Sequence, residues 1–483
     1  MTTALESLTP AQFKALPMAA NLNAALADTT LTRIRSIMGA AGPRRHLTKP
    51  WLVPDDYQAN FAYGRGQRVK NAGNVYVSVQ SGATTTTGTT GASSPPVHTT
   101  PAPVADGTVN WLYMGPLDYA NDPFAPTFTL STTAPVTPAK SYQNAAATLA
   151  TGATSVIRNN EWYRALGHIP TDNTNGLDTG ASEQSRGRIM FDTDERVLTL
   201  AIAVTNPGTG FNIVIDGRYL QDTQYCYPGG GGGTLYMTVT FPKKKNWRIA
   251  TSFDWVNSNG IRYITTGADS ACWAPRGERF GAKVLVYTDS FGNEFIQSRD
   301  AGAFSQICWA DLGFEDVFNQ SVSGTSLYHA TNPYGSAARL AWLTAFQPDI
   351  VHVCSSINSS GTSQANVTAT VSQFLTDART ALGAKGATAY FIFTGIWGDG
   401  LDGVESNNDL WLRTAITALN DPRVIWVPFA TAVAGSGFFG SSSTGSGQWY
   451  ITSAHPNQRG GEYAGHRMGA KLGEVLSALV TVP

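Results

Sequence analysis

From Gly281 to the end of the chain, short apolar runs alternate with longer amphipathic stretches, and this constrains the fold more than any other feature. Lys283–Tyr287, Ile350–Ser355, Ala389–Thr394 and Val424–Pro428 are apolar and rich in β-branched or aromatic residues, as strands buried on both faces are. Between and after them, Ser336–Phe346, Ser363–Leu382, Asn408–Leu419 and Gly460–Leu479 carry apolar residues at helical spacing. Strand–helix alternation predicts a parallel sheet with helices on both faces. Chemistry in such sheets collects at the carboxyl ends of the strands. Ser290 follows the first of these strands and Asn358 the second, so both are expected on that edge.

Before Gly281 the pattern is different. Residues 119–275 contain strand-like runs at Arg196–Val204, Phe211–Ile215, Thr234–Phe241, Trp247–Phe253 and Ile261–Thr265, with turns and no strong helix between them. Leu235, Met237, Val239 and Phe241 alternate with Tyr236, Thr238 and Thr240, which predicts one buried and one wet face. A β-sandwich of jelly-roll kind is expected here. Gly229–Gly233 is a glycine run with no following Lys-Ser or Lys-Thr, so it reads as a loop and not as a phosphate cradle.

Residues 48–118 read as a small β-rich module: Asn74–Val79 alternates like a strand, and Asp106-Gly107 is a turn into another. Its order of residues resembles small chitin-binding-type modules, which implies that Trp51 and Trp111 could stack on sugar rings. The competing reading is that both tryptophans fill a very small core. Residues 1–47 are Ala-rich, with Ala27, Leu31, Ile34 and Met38 at helical spacing over Ala24–Met38 and a break at Gly42-Pro43. An attachment or oligomerisation segment and a surface helix are equal readings. The chain thus divides into 1–47, 48–118, 119–275 and 276–483.

At 483 residues the chain is too long for one ordinary core. A net charge of -1 argues against a nucleic-acid surface or a polybasic membrane patch. No apolar run is long enough to span a membrane, and Met1–Thr30 lacks the pattern of a secretory signal. Cys226, Cys272, Cys308 and Cys354 form no CxxC pair, so no metal site is expected and buried free thiols are, although a Cys226–Cys272 bridge is open. There is no dinucleotide fingerprint, and no cofactor is implied.

The strand ending in Thr288-Asp289-Ser290-Phe291-Gly292 and the dipeptide His455-Pro456, just ahead of the last helix, are the pair that acyl transfer needs. A serine hydroxyl becomes a good nucleophile when an imidazole takes its proton. Together with Ser321-Val322-Ser323-Gly324-Thr325 and Ser356-Ile357-Asn358-Ser359, these blocks resemble the SGNH (GDSL-type) hydrolases, α/β/α esterases with a doubly wound parallel sheet. The resemblance implies that Ser290 is the nucleophile and His455 the general base and acid. It also implies an oxyanion hole built from the Ser290 N–H, the Gly324 N–H and the Asn358 side chain. Asp289 is expected to brace the turn, His352 to be a core histidine and His466 a surface one. This chain departs from the pattern at Thr452, where the family carries the acid that orients the histidine. A Ser–His dyad ranks first, an acid from the Asp399–Asp409 loop second, and lost activity third.

The layout ahead of that domain resembles polysaccharide deacetylases and the tail spikes of bacterial viruses. It implies removal of O-acetyl groups from a surface polysaccharide, a virion-tail or extracellular location, attachment through the N-terminus and a homotrimer. The alternatives are a tail protein that binds glycan without cleaving it, and a bacterial carbohydrate esterase.

Overall fold

The computed structural model describes residues 29–39, 49–64, 66–79, 88–91, 95–100, 103–135, 138–149, 151–167, 171–173, 176–178, 188–204, 210–226, 233–253, 260–276, 282–292, 304–328, 333–355, 358, 362–395, 407–428 and 458–480. The C-terminal part is a five-stranded sheet of β1 (Lys283–Thr288), β2 (Asp316–Ser321), β3 (Ile350–Cys354), β4 (Tyr390–Thr394) and β5 (Val424–Val427). All neighbours are parallel and the order is β2-β1-β3-β4-β5. The helices are α1 (Thr29–Gly39), α2 (Phe304–Asp311), α3 (Ala337–Phe346), α4 (Gln364–Leu382), α5 (Asn407–Ala418) and α6 (Gln458–Val480).

The period-2 alternation of the strands sorts their side chains into two apolar layers. Val284, Val286, Ile350 and Ile392 join Leu31, Ile34, Trp309, Met468 and Leu472, so α1, α2 and α6 cover one face. Leu285, Tyr287, Val351 and Phe391 join Leu343, Val371, Phe374 and Leu412, so α3, α4 and α5 cover the other. The expected α/β/α layering is present, with two elements that periodicity does not reveal. All eight residues of α2 are buried, so it has no polar stripe to mark a helix. β2 reads Asp-Val-Phe-Asn-Gln-Ser and is buried throughout despite its polar residues, for a reason given below.

α1 corrects an expectation. Its apolar face, Leu31, Ile34 and Ile37, lies in the α/β core, and Arg33 pairs with the buried Asp349 at 2.8 Å. The face that would have served attachment or oligomerisation is therefore occupied within the chain. Residues 1–28 and 40–48 lie outside the described residues.

The middle of the chain is two antiparallel-rich sheets facing one core, which includes Leu235, Met237 and Val239 from one sheet and Phe211, Ile213 and Ile249 from the other. Strand Gly233–Thr240 shows the expected alternation, with Leu235, Met237 and Val239 buried and Tyr236, Thr238 and Thr240 half-exposed. Cys226 and Cys272 are buried free thiols, and burial pushes the Cys272 thiol up to about 12. The small module is a five-stranded sheet built around Asn74–Val79 and Val109–Pro116. The sandwich leans on the α/β unit through Ile307 of α2, which packs with Met190, Val214 and Ala250. It is also held there by the Gly167 N–H, which donates to Asp316 at 2.7 Å.

Candidate active site

β1 ends at Thr288, and the chain turns at once into a single 3-10 turn, Ser290–Gly292, closed by the Gly292 N–H donating to the Asp289 carbonyl at 3.1 Å. Only glycine fits at 292, because a Cβ there would lie 2.0 Å from Thr288 Cγ2. The Gly292 carbonyl accepts from Asn319 Nδ2 at 2.7 Å and Ser321 Oγ at 2.8 Å. The polar residues of β2 thereby pin the turn that carries Ser290. That is why a strand so polar can be buried: its donors are satisfied by a backbone oxygen. Ser290 is half-buried, and Asp289 beside it is 1% exposed.

In the order β2-β1-β3 the connections leave β1 in opposite directions, so a crevice opens between the ends of β1 and β3. Asn358, after β3, bridges it: Nδ2 donates to Asp289 Oδ2 at 3.0 Å and to the Thr325 carbonyl at 3.3 Å. The loop after β2 is held to β1 by the Val322 N–H, which donates to the Thr288 carbonyl at 3.1 Å. Gly324 in that loop has φ +73°, a left-handed conformation that glycine adopts without strain. It is exposed, and its N–H has no partner among the described residues. Ser290, Gly324 and Asn358 therefore stand at the ends of three adjacent strands, with Asp289 bracing the turn through Asn358.

Beneath the Gly324 loop lies a charged residue that the sequence reading missed. Arg339 on α3 is buried, and its Nη1 donates to Thr325 Oγ1 at 2.8 Å and its Nη2 to the Gln320 carbonyl at 2.5 Å. Its guanidinium sits 4.5 Å from the ring centre of Tyr334 and 5.1 Å from that of Tyr287. Burial works against its charge, while Tyr334, Tyr287 and the Asp289 carboxylate favour it. A signal for it existed: Arg339 shares the buried stripe of α3 with Leu343 and Phe346, where a cation must have a reason to be.

The other histidines fall as follows. His352 is fully buried in β3, where it accepts a hydrogen bond from Trp309 Nε1 at 3.0 Å, and burial holds it down at about 3. It is the core histidine expected. His466 is partly exposed on α6 and pairs with Asp311 at 2.7 Å. His455 and Thr452 lie outside the described residues. Of the Asp399–Asp409 acids, Asp409 is described: it is buried, with its carboxylate against Gly395 at the end of β4. The tryptophans need correction as sugar platforms. Trp111 is fully buried, with Tyr63 edge-on at 5.0 Å and its Nε1 donating to Asp106. Trp51 lies under the guanidinium of Arg218 at 4.0 Å and donates to the Ile215 carbonyl. Trp111 is thus a packing residue, while Trp51 is half-buried beneath Arg218.

α6 runs parallel to α2, with Gly465 against Phe304 and Ile307, Gly469 against Cys308, and Gly473 against Leu312. Its first turn, three residues after His455 in sequence, therefore stands at the same end of the sheet as Ser290.

No family model matches the chain, and no curated protein matches it. Among solved structures, a salicylyl-acyltransferase from a tetracycline biosynthetic pathway is similar with a TM-score of 0.50 and 10% identity, over 66% of this chain and 96% of that one. A family two carbohydrate esterase from Clostridium thermocellum is similar with a TM-score of 0.49 and 14% identity, over 66% and 99% of the two chains. An acetyl xylan esterase from the rumen bacterium Butyrivibrio proteoclasticus gives 0.45 and 12%, over 66% and 97%. At such identities the likeness is one of architecture. This chain shares the fold of the salicylyl-acyltransferase across two thirds of its length.

Proposed function

We propose that this protein is a serine esterase that removes acyl groups, acetyl foremost, from a polysaccharide. One observation carries the reading: Ser290 stands on a pinned turn at the crevice between β1 and β3, flanked by the exposed Gly324 N–H and by Asn358. In this reading His455 takes the proton of the Ser290 hydroxyl as its oxygen attacks the ester carbonyl. The carbonyl oxygen gains negative charge and is met by the N–H groups of Ser290 and Gly324, each such donor being worth about 2.7–4 kcal/mol. His455 then gives the proton to the leaving sugar alkoxide. Water attacks the acyl-enzyme by the reverse exchange, releasing the carboxylic acid and restoring Ser290. The imidazole is oriented by a backbone carbonyl in a dyad, or by an acid such as Asp409.

A second reading, glycan binding without cleavage, has one observation in its favour. Both N–H groups of Asn358 are directed at Asp289 and Thr325, so its share in an oxyanion hole requires one of these bonds to be exchanged. The deciding experiment is hydrolysis of 4-nitrophenyl acetate, and acetate release from acetylated xylan, by the parent, Ser290→Ala and His455→Ala. Activity lost in both variants is expected. Activity that survives Ser290→Ala would refute the nucleophile, and a parent inert on both substrates would favour the binding reading.

A further inference from the structure

The three units of the chain meet at one buried cation. Arg68, on strand Arg68–Asn71 of the small module, forms ion pairs with Asp222 of the sandwich and, at 3.2 Å, with Glu462 of α6. Its backbone N–H donates to Thr223 Oγ1 at 2.8 Å. Above Arg68 the module and the sandwich enclose a cleft of about 480 Å³, within the range of about 300–1,000 Å³ usual for small-molecule sites. Glu462 is in the second turn of α6, whose first turn lies at the Ser290 end of the sheet, so Arg68 ties the floor of the cleft to that end of the α/β unit.

The lining of the cleft selects a class of ligand. Phe61 is 38% exposed, set edge-to-face on Tyr63 at 4.9 Å, and Leu130 is 43% exposed. They offer apolar surface that the small core does not use. Exposed planar hydrogen-bonding groups stand beside them. The Gln58 amide has no partner among the described residues, and Asp55 uses Oδ1 to accept from Gln221 at 3.0 Å. Asp56 pairs with Lys70 at 3.1 Å. Among the described lining residues Arg68 is the one cation, and it is already matched by two carboxylates, so these residues offer no spare positive charge to an acidic ligand, which would also meet Asp55. An aromatic ring beside carboxylate and amide groups suits a neutral ring that has C–H bonds on one face and hydroxyls around its edge.

We propose that this cleft is a subsite for a neutral sugar unit of the glycan, seated on Phe61 and hydrogen-bonded by Gln58 and Asp55. The choice of a glycan rests on the esterase reading above, whereas the neutrality of the ligand rests on the cleft. The test uses the full chain carrying Ser290→Ala, titrated by calorimetry with xylotriose, cellotriose, chitotriose and, as the acidic counterpart, trigalacturonate. At least one neutral trisaccharide is expected to bind, trigalacturonate to bind none, and Phe61→Ala to weaken binding roughly ten-fold. In the chain with Ser290 restored, Phe61→Ala and Gln58→Ala are expected to leave 4-nitrophenyl acetate hydrolysis unchanged while slowing acetate release from acetylated xylan. The proposal is overturned if no neutral trisaccharide binds, if trigalacturonate binds better, or if binding is indifferent to both Phe61→Ala and Gln58→Ala. Neutral binding that depends on Phe61 in a parent inert on aryl acetate would support the subsite and sink the esterase reading, so the two fail separately.

Discussion

Replacing His352 by Gln should remove the acid sensitivity that this site gives the α/β unit. An indole N–H can only donate, so the 3.0 Å contact from Trp309 leaves Nδ1 of His352 bare and puts the proton on Nε2, 3.3 Å from Thr394 Oγ1. Protonating Nδ1 would set N–H against N–H in a fully buried site. Burial accordingly holds the folded-state value at about 3, against 6.5 for an unburied histidine. Because the folded value is the lower one, the unfolded chain binds the extra proton. This stability is complete above pH 6.5 and is lost as pH falls through about 3, amounting in full to about 5 kcal/mol. By pH 5 about 2 kcal/mol of it is gone. Glutamine can accept from Trp309 and donate to Thr394 without titrating, at a packing cost of about 1–2 kcal/mol that does not vary with pH. The variant should therefore be the less stable protein at pH 7.5 and equal or better at pH 5. Urea titrations read by hydrogen exchange of the segment Ile350–Cys354 measure this strand without mixing in the other units. A stability difference that stays constant from pH 7.5 to 4.5 would refute the buried neutral imidazole.

The opposite slope is expected at the sandwich contact. Burial raises Asp316 to about 6, above its usual 3.8, so the stability it contributes is complete below pH 3.8 and lost as pH rises through about 6. Asp316→Asn keeps an acceptor for the Gly167 N–H and should stabilise the protein by up to about 3 kcal/mol at pH 7.5, with no gain at pH 3.5. A gain of equal size at both pH values in urea unfolding would contradict this. For Arg339, Met in its place leaves the Gln320 carbonyl and Thr325 Oγ1 without donors, costing about 1–3 kcal/mol each, and frees the loop that carries Gly324. We expect kcat for 4-nitrophenyl acetate to fall roughly a hundred-fold with KM little changed, and partial recovery in Arg339→Lys. Lower thermal stability with unchanged kcat would reduce Arg339 to a packing role.

The sequence by itself determined the layers. Period-2 runs such as Leu235–Phe241 and strongly apolar runs such as Lys283–Tyr287 have few ways to hide from water, so the sandwich and most strands of the parallel sheet were legible. It also placed Ser290 and Asn358 at strand ends, because a residue that follows a buried strand has no other place to be. The tertiary structure alone decided what burial does to polar groups. β2 and α2 were invisible to periodicity, since a strand whose Asn319 and Ser321 satisfy a backbone carbonyl, and a helix covered on every side, carry no amphipathic signature. Trp111 and Trp51 looked like sugar platforms by residue type. Whether an aromatic face meets ligand or core depends on what packs over it, and here Tyr63 and Arg218 do. Phe61, the aromatic that does face a cleft, is set beside the sandwich by Arg68, whose partners Asp222 and Glu462 lie 154 and 394 residues away. Contacts over such separations are set by the packing of whole units, and no local pattern of residues encodes them.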